Sequence, residues 1–349
     1  MTDLDGLVRE SAERLAAKHV GVVVAALTPG SVEIRGAGRA GGDNDGPPGA
    51  ETVFEVGSVT KVFTALTLAR LGVAGTVDLD EPVAALLPEG ARVPSRDGQE
   101  ITLRHLAAHT SGLPRLPKGM MLEALLRPWK PDPYAGCTID LLLRGLARTR
   151  LGATPGRRFR YSNLGAGLLG AALAHRAGTD YETLISREIS SPLDLTGTGI
   201  TVEGAVGSGR SARLAQGHTR RGRPAAAWHL ADMAGAGGLR STPADLVAFL
   251  RAHVDDGAGA LAEAIRLSRR TEHRISPFSW VHLGWMGQRL HARQGAHLQL
   301  WHSGMTGGFS SFVGFDPEKG VGVAVLSNTR RSVDRPAFEL LRTLQTARS

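Results

Sequence analysis

Ser58 and Lys61 have the types and spacing of a nucleophile and a base. They lie three positions apart in the segment FEVGSVTKVF, residues 54–63. Lys61 is one of only five lysines in a chain of 349 residues that carries 36 arginines. An arginine keeps its proton at any accessible pH, whereas a desolvated lysine can be neutral near pH 7. A neutral Lys61 could accept the hydroxyl proton of Ser58, so the pair suggests nucleophilic catalysis.

The residues after Ser58 favour a helix that would bring the two side chains together. Apolar residues recur there at helical spacing, and they are Val59, Val62, Phe63, Leu66 and Ala69. Three helical positions advance the chain by about 4.5 Å and leave two side chains close in azimuth. The free N–H groups of a helix N-terminus also suit a developing oxyanion. Alternatively, Ser58 serves only as a helix N-cap.

A second pair of polar side chains, Tyr161 and Asn163, comes just before a predicted helix over residues 164–177. A serine nucleophile needs help with its own proton and with that of the leaving group. Tyr161, one of three tyrosines in the chain, could give that help. The alternative is a surface tyrosine beside an asparagine that caps the helix.

A third element is the segment WHSGMTGGF, residues 301–309, which begins on a predicted strand. Small residues there would let the backbone approach a ligand closely. A strand edge beside a serine would offer N–H donors to an acyl group. The alternative is a glycine-rich turn with an exposed histidine at position 302.

Together the three elements resemble the motifs of one superfamily. Ser-x-x-Lys, Tyr-x-Asn and His-x-Gly follow one another at positions 58, 161 and 302, as in the serine β-lactamase and penicillin-binding-protein superfamily. Within it, the chain is similar to the class C β-lactamase-like branch, which includes esterases and transesterases. Further similar blocks are residues 106–114, 155–165, 237–242, 307–311 and 327–328.

The resemblance implies a role for each motif residue. Ser58 would form a covalent acyl-enzyme, and Lys61 and Tyr161 would share general base and acid duty. Asn163 would orient the acyl amide of the substrate. The backbone N–H groups of Ser58 and Met305 would form the oxyanion hole, with no metal or organic cofactor.

The third motif departs from the commonest pattern of the superfamily. Many β-lactamases and cell-wall peptidases have a lysine where this chain has His302, and that cation helps to hold a substrate carboxylate. Histidine is largely neutral at pH 7, so penicillin-like carboxylates become less favoured substrates. Gly304 would keep the strand close to the substrate, as in the family.

Composition and charge exclude several other classes of protein. A chain with 42% hydrophobic and 21% charged residues is typical of soluble globular proteins. The net charge is +8, but the arginines are scattered and no zinc-finger spacing occurs, so nucleic acid is not an expected partner. Cys137 is alone. No signal-peptide pattern or long apolar run is present, which predicts a cytoplasmic protein without a membrane partner.

Two weaker patterns do not support a cofactor or a metal. The dinucleotide pattern G-x-G-x-x-G occurs at residues 36–41 and 165–170, but neither copy follows a buried strand and opens a helix. His105 and His109 have zinc-ligand spacing, yet Leu106 stands where metalloproteases have a glutamate. We expect neither a nicotinamide or flavin site nor a metal site.

The hydrophobic periodicity predicts an α+β fold. The predicted helices and strands are a helix over 4–18, strands over 20–27 and 31–35, mainly helices over 58–270, strands over 283–290, 297–302, 309–315 and 321–326, and a helix over 334–346. The simplest assembly is one antiparallel sheet from both chain ends, flanked by the terminal helices. The predicted domains are therefore 1–57 with 277–349, and a mainly helical 58–276, with the active site in the cleft between them.

The favoured hypothesis is a serine hydrolase or acyltransferase that cleaves or exchanges a carboxylic ester or amide through acyl-Ser58. A small-molecule acyl donor is its expected partner, and water, an alcohol or an amine is the acceptor. A β-lactamase or a D-amino-acid peptidase is the alternative within the superfamily. A sensor that is acylated without turnover is the alternative of another class.

Overall fold

The computed structural model describes residues 3–41, 46–117, 132–201, 214–255, 257–271 and 273–347. Its main feature is an eight-stranded antiparallel sheet with the strand order β2-β1-β10-β9-β8-β7-β6-β5. The strands are β1 Gly21–Leu27, β2 Val32–Gly38, β5 His273–Ser276, β6 Ser279–Val281, β7 Met286–Arg289, β8 Leu298–Met305, β9 Ser310–Asp316 and β10 Val321–Ser327. A separate pair joins β3 Phe54–Glu55 to β4 Arg240–Ser241. The predicted antiparallel sheet, built from both chain ends, is confirmed.

The central strands are buried on both faces, which explains their continuous apolar runs. In β1, Val22, Val24 and Ala26 pack with the terminal helices α1 Leu4–Ala16 and the C-terminal helix Asp334–Thr346. The alternate residues of β1 pack into the larger core, which the inner helices share. Side chains of a strand alternate between its two faces, so the helices on each side bury every residue of β1.

Most of the regular elements between the two halves of the sheet are helices. They are α2 Thr60–Val73, α3 Leu103–Ala107, α4 Ile139–Ala147, α5 Asn163–Arg176, α6 Tyr181–Ile185, α7 Pro243–Val254 and α8 Ala260–Arg270, and the C-terminal helix Asp334–Thr346 is α9. Thr242 caps α7 by accepting a hydrogen bond from the Asp245 N–H, and Pro243 lies in the first turn, where its missing N–H costs no helical hydrogen bond. Among the described residues, no helix is long and apolar enough to cross a membrane.

The segment Thr179-x-x-Glu182 has the pattern of a capping box and predicts Thr179 as the N-cap, but the N-cap of α6 is Asp180. Its carboxylate accepts a hydrogen bond from the Thr183 N–H at 2.8 Å. Asp is as good an N-cap as Thr, and its position one residue later fits the start of the helix. Glu182 instead accepts hydrogen bonds from the N–H groups of Ile200 and Thr201.

The far edge of the sheet differs from the prediction. The strand expected over residues 283–290 is shorter and begins at Met286, because Gly284 turns the chain with a φ of +76°. β5 and β6 are two additional short strands, and β5 lies inside residues 58–276, the range predicted as the mainly helical domain. β5 joins the main sheet four residues before the predicted domain boundary at 277, and the division into domains remains a prediction.

Candidate active site

Ser58 lies in the 3-10 turn Gly57–Val59, which continues directly into α2. Lys61 stands in the first turn of α2, and its Nζ lies 3.0 Å from Ser58 Oγ. Ser58 is not the residue that caps this turn or α2, and neither element has a side-chain cap. The hydroxyl therefore contacts the amine as the spacing predicts, and the N-cap alternative does not hold.

Lys61 reaches Ser58 from the interior of the protein. Only 2% of its surface is exposed, and Nζ also donates a hydrogen bond to the carbonyl of Ala236. Burial, and secondarily repulsion by Arg115, hold the pKa of Lys61 well below its usual value. Among the described residues, no carboxylate lies within ion-pair distance of Lys61. These conditions favour a neutral amine that can accept a proton.

Tyr161 is the second side chain that contacts the nucleophile. Its hydroxyl is hydrogen-bonded to Ser58, and Lys61 Nζ lies 5.0 Å from the centre of its ring. Burial raises the pKa of Tyr161 to about 12, although the Ser58 hydrogen bond and the charge of Arg115 act in the opposite direction. The phenol is thus protonated near neutral pH, and Ser58 stands between an amine and a phenol that can both exchange its proton.

Asn163 opens α5, where Ser162 provides the N-cap. Its Nδ2 donates to the hydroxyl of Tyr134 at 3.1 Å. Its Oδ1 is buried and has no donor among the described residues. Since Asn163 lines the cleft, this oxygen can accept a hydrogen bond from a bound ligand.

Gly304 brings β8 against the nucleophile. A Cβ added at this position would stand 2.1 Å from the carbonyl oxygen of Val56 and 2.9 Å from the backbone nitrogen of Ser58. Gly57 has a φ of +50°, and its Cβ would stand 2.8 Å from the backbone nitrogen of Met305. The backbone nitrogens of Ser58 and Met305 therefore lie at one corner of the cleft, where they can serve one oxyanion.

β8 extends beyond its neighbour at this point. β7 begins at Met286, which pairs with Trp301, so residues 302–305 have no β7 partner. This stretch borders the cleft, and the side chain of Met305 is 44% exposed. A substrate can thus lie along a strand edge that the sheet does not cover.

His302 is a buried and neutral member of this strand. It is 4% exposed, and burial, with a smaller effect of Lys61, lowers its pKa to about 3. Nδ1 lies 2.8 Å from the carbonyl oxygen of Ser303. That carbonyl requires a proton on Nδ1, so Nε2 carries the lone pair, and it has no partner among the described residues. His302 offers no cation to a substrate.

A carboxylate that sequence reasoning missed stands next to the third motif. Asp334, in the first turn of α9, accepts hydrogen bonds from the side chains of Ser332 and Ser303. Burial raises its pKa, although both hydrogen bonds act in the opposite direction. Nothing in the sequence near position 334 linked it to the site.

These residues surround a cleft of about 580 Å³. Six of the seven predicted site residues line it, and they are Ser58, Tyr161, Asn163, His302, Gly304 and Met305. Lys61 lies behind Ser58. The structure thus brings all seven together from three distant parts of the chain.

A comparison with protein families identifies this arrangement. The family model described as Beta-lactamase matches residues 4–347, almost the whole chain. The chain belongs to the beta-lactamase family. It is a serine hydrolase of the β-lactamase-like type, and the superfamily that the three motifs predict is confirmed.

Individual members of the family show the same relationship. The D-alanyl-D-alanine-carboxypeptidase/endopeptidase AmpH of Escherichia coli (strain K12) is 28% identical over 295 residues, which cover 81% of this chain and 72% of that protein. A beta-lactamase/D-alanine carboxypeptidase from Yersinia pestis, solved in complex with citrate, superposes with a TM-score of 0.80 at 26% identity and covers 98% of each chain.

A class C beta-lactamase from Rhodobacter sphaeroides has the same fold. The TM-score is 0.80 at 23% identity, and the match covers 98% of this chain and 100% of that one. The two solved structures confirm the α+β fold.

Residues outside the motifs also line the cleft, and the sequence did not predict them. Tyr134 holds Asn163, and its ring lies 5.4 Å from that of Trp228. The guanidinium carbon of Arg115 lies 5.5 Å from the centre of the Tyr161 ring. Apart from the small number of tyrosines, no pattern in the chain pointed to these positions.

The histidine and glycine patterns that were set aside have structural explanations. His105 completes a capping box with Thr102 at the start of α3. His109 is buried against the Tyr161 ring, 4.4 Å between centres, and burial keeps its pKa well below the usual value. The glycines at 165–170 lie in α5, where Gly170 and Gly235 pack closely. No cluster of three metal-ligating side chains occurs in the described ranges.

Proposed function

We propose that the protein cleaves or exchanges a carboxylic ester or amide through an acyl-enzyme on Ser58, as an esterase or a biosynthetic transacylase. One observation carries this proposal. The hydroxyl of Ser58 lies 3.0 Å from the buried amine of Lys61, whose pKa burial keeps well below its usual value. A neutral amine at hydrogen-bond distance is what a serine needs to become a nucleophile.

Acylation begins when Ser58 Oγ attacks the carbonyl carbon and its proton passes to Lys61. The carbonyl oxygen becomes an oxyanion, which the N–H groups of Ser58 and Met305 stabilise. Tyr161 then gives its proton to the leaving oxygen or nitrogen as the carbonyl double bond re-forms. The Tyr161 phenolate then recovers a proton from Lys61, which becomes a neutral amine again, and the acyl group stays on Ser58.

Deacylation reverses these steps with a new nucleophile. Water, an alcohol or an amine gives its proton to the neutral amine of Lys61 and attacks the acyl carbon. The second oxyanion collapses, Ser58 leaves as an alkoxide and recovers a proton, and the product is an acid, an ester or an amide. Asn163 orients the acyl part through its unpartnered Oδ1.

Two residues support a neutral ester over a substrate with a carboxylate next to the scissile bond. His302 has a pKa of about 3 and is therefore uncharged at neutral pH. Asp334 adds a carboxyl group beside Ser303. A substrate carboxylate at this place would meet no cation from His302 and would face repulsion from Asp334 whenever that group is ionised.

A β-lactamase or D-alanine carboxypeptidase is the second candidate, because the relatives carry those names. A sensor that is acylated but does not turn over is the third. The cytoplasmic location and the absence of nucleic-acid and membrane partners remain predictions, as does a small-molecule acyl donor.

Steady-state hydrolysis of p-nitrophenyl acetate and of nitrocefin separates these candidates. We expect a kcat/KM for the neutral ester that exceeds that for nitrocefin by at least about tenfold, because a lost charge contact is worth about 1.5–3 kcal/mol. Mass spectrometry should then find the acetyl group on Ser58. The reverse ranking favours the β-lactamase, and a burst without steady turnover favours the sensor.

A further inference from the structure

A second cavity opens beside the catalytic cleft, and arginines surround it. It has a volume of about 800 Å³. We call it the arginine groove, and its residues are Thr219, Arg220, Arg221, Arg223, Met305, Arg330, Arg331 and Ser332. Met305, Arg330 and Ser332 also line the catalytic cleft. The groove is therefore continuous with the cleft, on the far side of Met305.

Main-chain hydrogen bonds hold the two walls of the groove together. The turn 219–223 is closed by a bond of 2.7 Å from the Thr219 N–H to the Arg223 carbonyl. His218, just before the turn, donates to the Asn328 carbonyl at 2.8 Å and accepts from the Arg330 N–H at 2.8 Å. The positions of the arginines on both walls are thus fixed by the fold rather than by chance surface conformations.

In the part of the chain that the structure describes, the five guanidinium groups have no carboxylate partner. Within the described ranges, no carboxylate forms an ion pair with Arg220, Arg221, Arg223, Arg330 or Arg331. Arg331 Nε is also buried without an acceptor. Some arginines elsewhere do form ion pairs, as Arg104 does with Asp80 and Arg289 with Glu318, both at 2.7 Å.

Like charges that line the same groove repel one another, and a bound anion reduces that repulsion. Guanidinium groups match the planar or tetrahedral oxygens of carboxylates and phosphates with paired hydrogen bonds. The volume of the groove suits a small-molecule ligand. The continuity with the cleft would let one molecule occupy both.

We propose that the arginine groove binds a polyanionic group, phosphate or clustered carboxylates, carried by the substrate at a distance from the scissile carbonyl. The inference rests on the proposed function for its substrate, but the binding site itself does not. It is compatible with the neutral His302, since the anion is held beyond Met305 and not beside the reacting bond.

Calorimetric titration with tripolyphosphate and with citrate tests the groove directly. The test variant is Arg221→Gln/Arg223→Gln, and the control is Arg9→Gln/Arg274→Gln, which removes the same charge from two exposed positions elsewhere. We expect the test variant to bind at least about tenfold more weakly than the wild type, and the control to bind like the wild type. The tighter of the two probes in the wild type identifies phosphate or carboxylate as the preferred group.

Two esters then test the link to the substrate. Phenyl acetate and the same ester with a para phosphate group differ only in the anion. The ratio of their kcat/KM values should fall about tenfold in the test variant and stay constant in the control. Unfolding midpoints measured by circular dichroism establish that both variants are folded.

The calorimetric titration and the ester kinetics test different parts of the proposal, and each can fail independently of the other. If the wild type binds neither probe, or the test variant binds them as tightly as the control, the groove is not an anion site. If anions bind there but the ester ratio does not change, the substrate assignment is wrong. If neither ester is turned over at all, the proposed function has failed, and the calorimetry alone decides whether the groove binds anions.

Discussion

The protonation state of the Lys61 amine decides whether Ser58 can be activated. Its amine is buried, contacts Ser58 Oγ and the Ala236 carbonyl, and has no carboxylate partner among the described residues. Charging it would leave an uncompensated cation in the interior, so burial lowers its pKa. The same environment that disfavours the charged form makes the neutral form available to Ser58.

Replacing Lys61 with arginine tests whether that proton matters. The Lys61→Arg variant keeps a positive charge and hydrogen-bond donors but cannot accept a proton near neutral pH. We expect the rate of Ser58 acylation by p-nitrophenyl acetate to fall by about 10²–10⁴-fold, the usual contribution of a general base. Stopped-flow release of p-nitrophenol measures this rate.

An exposed lysine provides the matched control. Lys18→Arg makes the same chemical change at the surface and should leave the acylation rate unchanged. Because the larger guanidinium could also disturb the interior, far-ultraviolet circular dichroism and the unfolding midpoint must show a folded Lys61→Arg protein. A folded variant with an undiminished acylation rate removes Lys61 from the mechanism.

The contact between β8 and the 3-10 turn Gly57–Val59 builds the oxyanion corner. It depends on two glycines, because a side chain on Gly304 or Gly57 would collide with the backbone of the other element. Ser311 on β9 also donates a hydrogen bond of 2.7 Å to the Val56 carbonyl, which ties the turn to the sheet. The distance between the N–H groups of Ser58 and Met305 is thus set by how closely the elements pack.

Adding one methyl group to β8 tests this dependence. In Gly304→Ala, the Cβ would stand 2.1 Å from the Val56 carbonyl oxygen, so the strand and the turn must separate. We expect kcat for p-nitrophenyl acetate to fall by about 10²–10³-fold, as after loss of one oxyanion donor. Gly30→Ala, where a Cβ would meet nothing within 4 Å, is the control. Equal kcat values for the two variants would contradict a role for this close contact.

The strands that the sequence predicts well are those that are buried along their whole length. The apolar runs of β1 and β10 are buried along their whole length, so their periodicity is clear. β5 is only partly buried, and its residues His273 to Ser276 are largely polar. A strand that is held mainly by hydrogen bonds to its neighbour does not need alternating hydrophobic residues, so the hydrophobic pattern does not predict it.

The same distinction applies to the site. The contact between Ser58 and Lys61 is local, so helix geometry predicts it from spacing alone. Tyr161 and His302 are distant from Ser58 in the sequence. Only the order of the three motifs, as in the superfamily that they resemble, predicts that these residues lie in one site. Tyr134 and Asp334 contact the site only through the tertiary fold, and no motif contained them.

At the scale of the whole molecule, the sheet separates two apolar clusters, and the larger one encloses a histidine. His253 on α7 is fully buried, with Nδ1 2.8 Å from the Phe249 carbonyl oxygen. The rings of Phe249, Trp285 and Phe315 lie 4.4 to 5.5 Å from its own. Burial lowers the pKa of His253 to about 3, and Arg269 contributes in the same direction.

His253 should make the fold sensitive to acid, and His253→Phe should reduce that sensitivity. Its folded pKa of about 3 lies below the unfolded value of 6.5, so the unfolded chain binds the extra proton between these values. As the pH is lowered through this window, the free energy of unfolding therefore decreases, by up to about 1.4 kcal/mol per pH unit for this residue.

Urea unfolding at about pH 8, 6 and 4.5 measures this effect. Between about pH 6 and pH 4.5 the wild type should lose about 2 kcal/mol more of its free energy of unfolding than His253→Phe does. The exposed His175→Phe control should follow the wild type, and parallel profiles for His253→Phe and the wild type would show that this histidine does not set the acid limit.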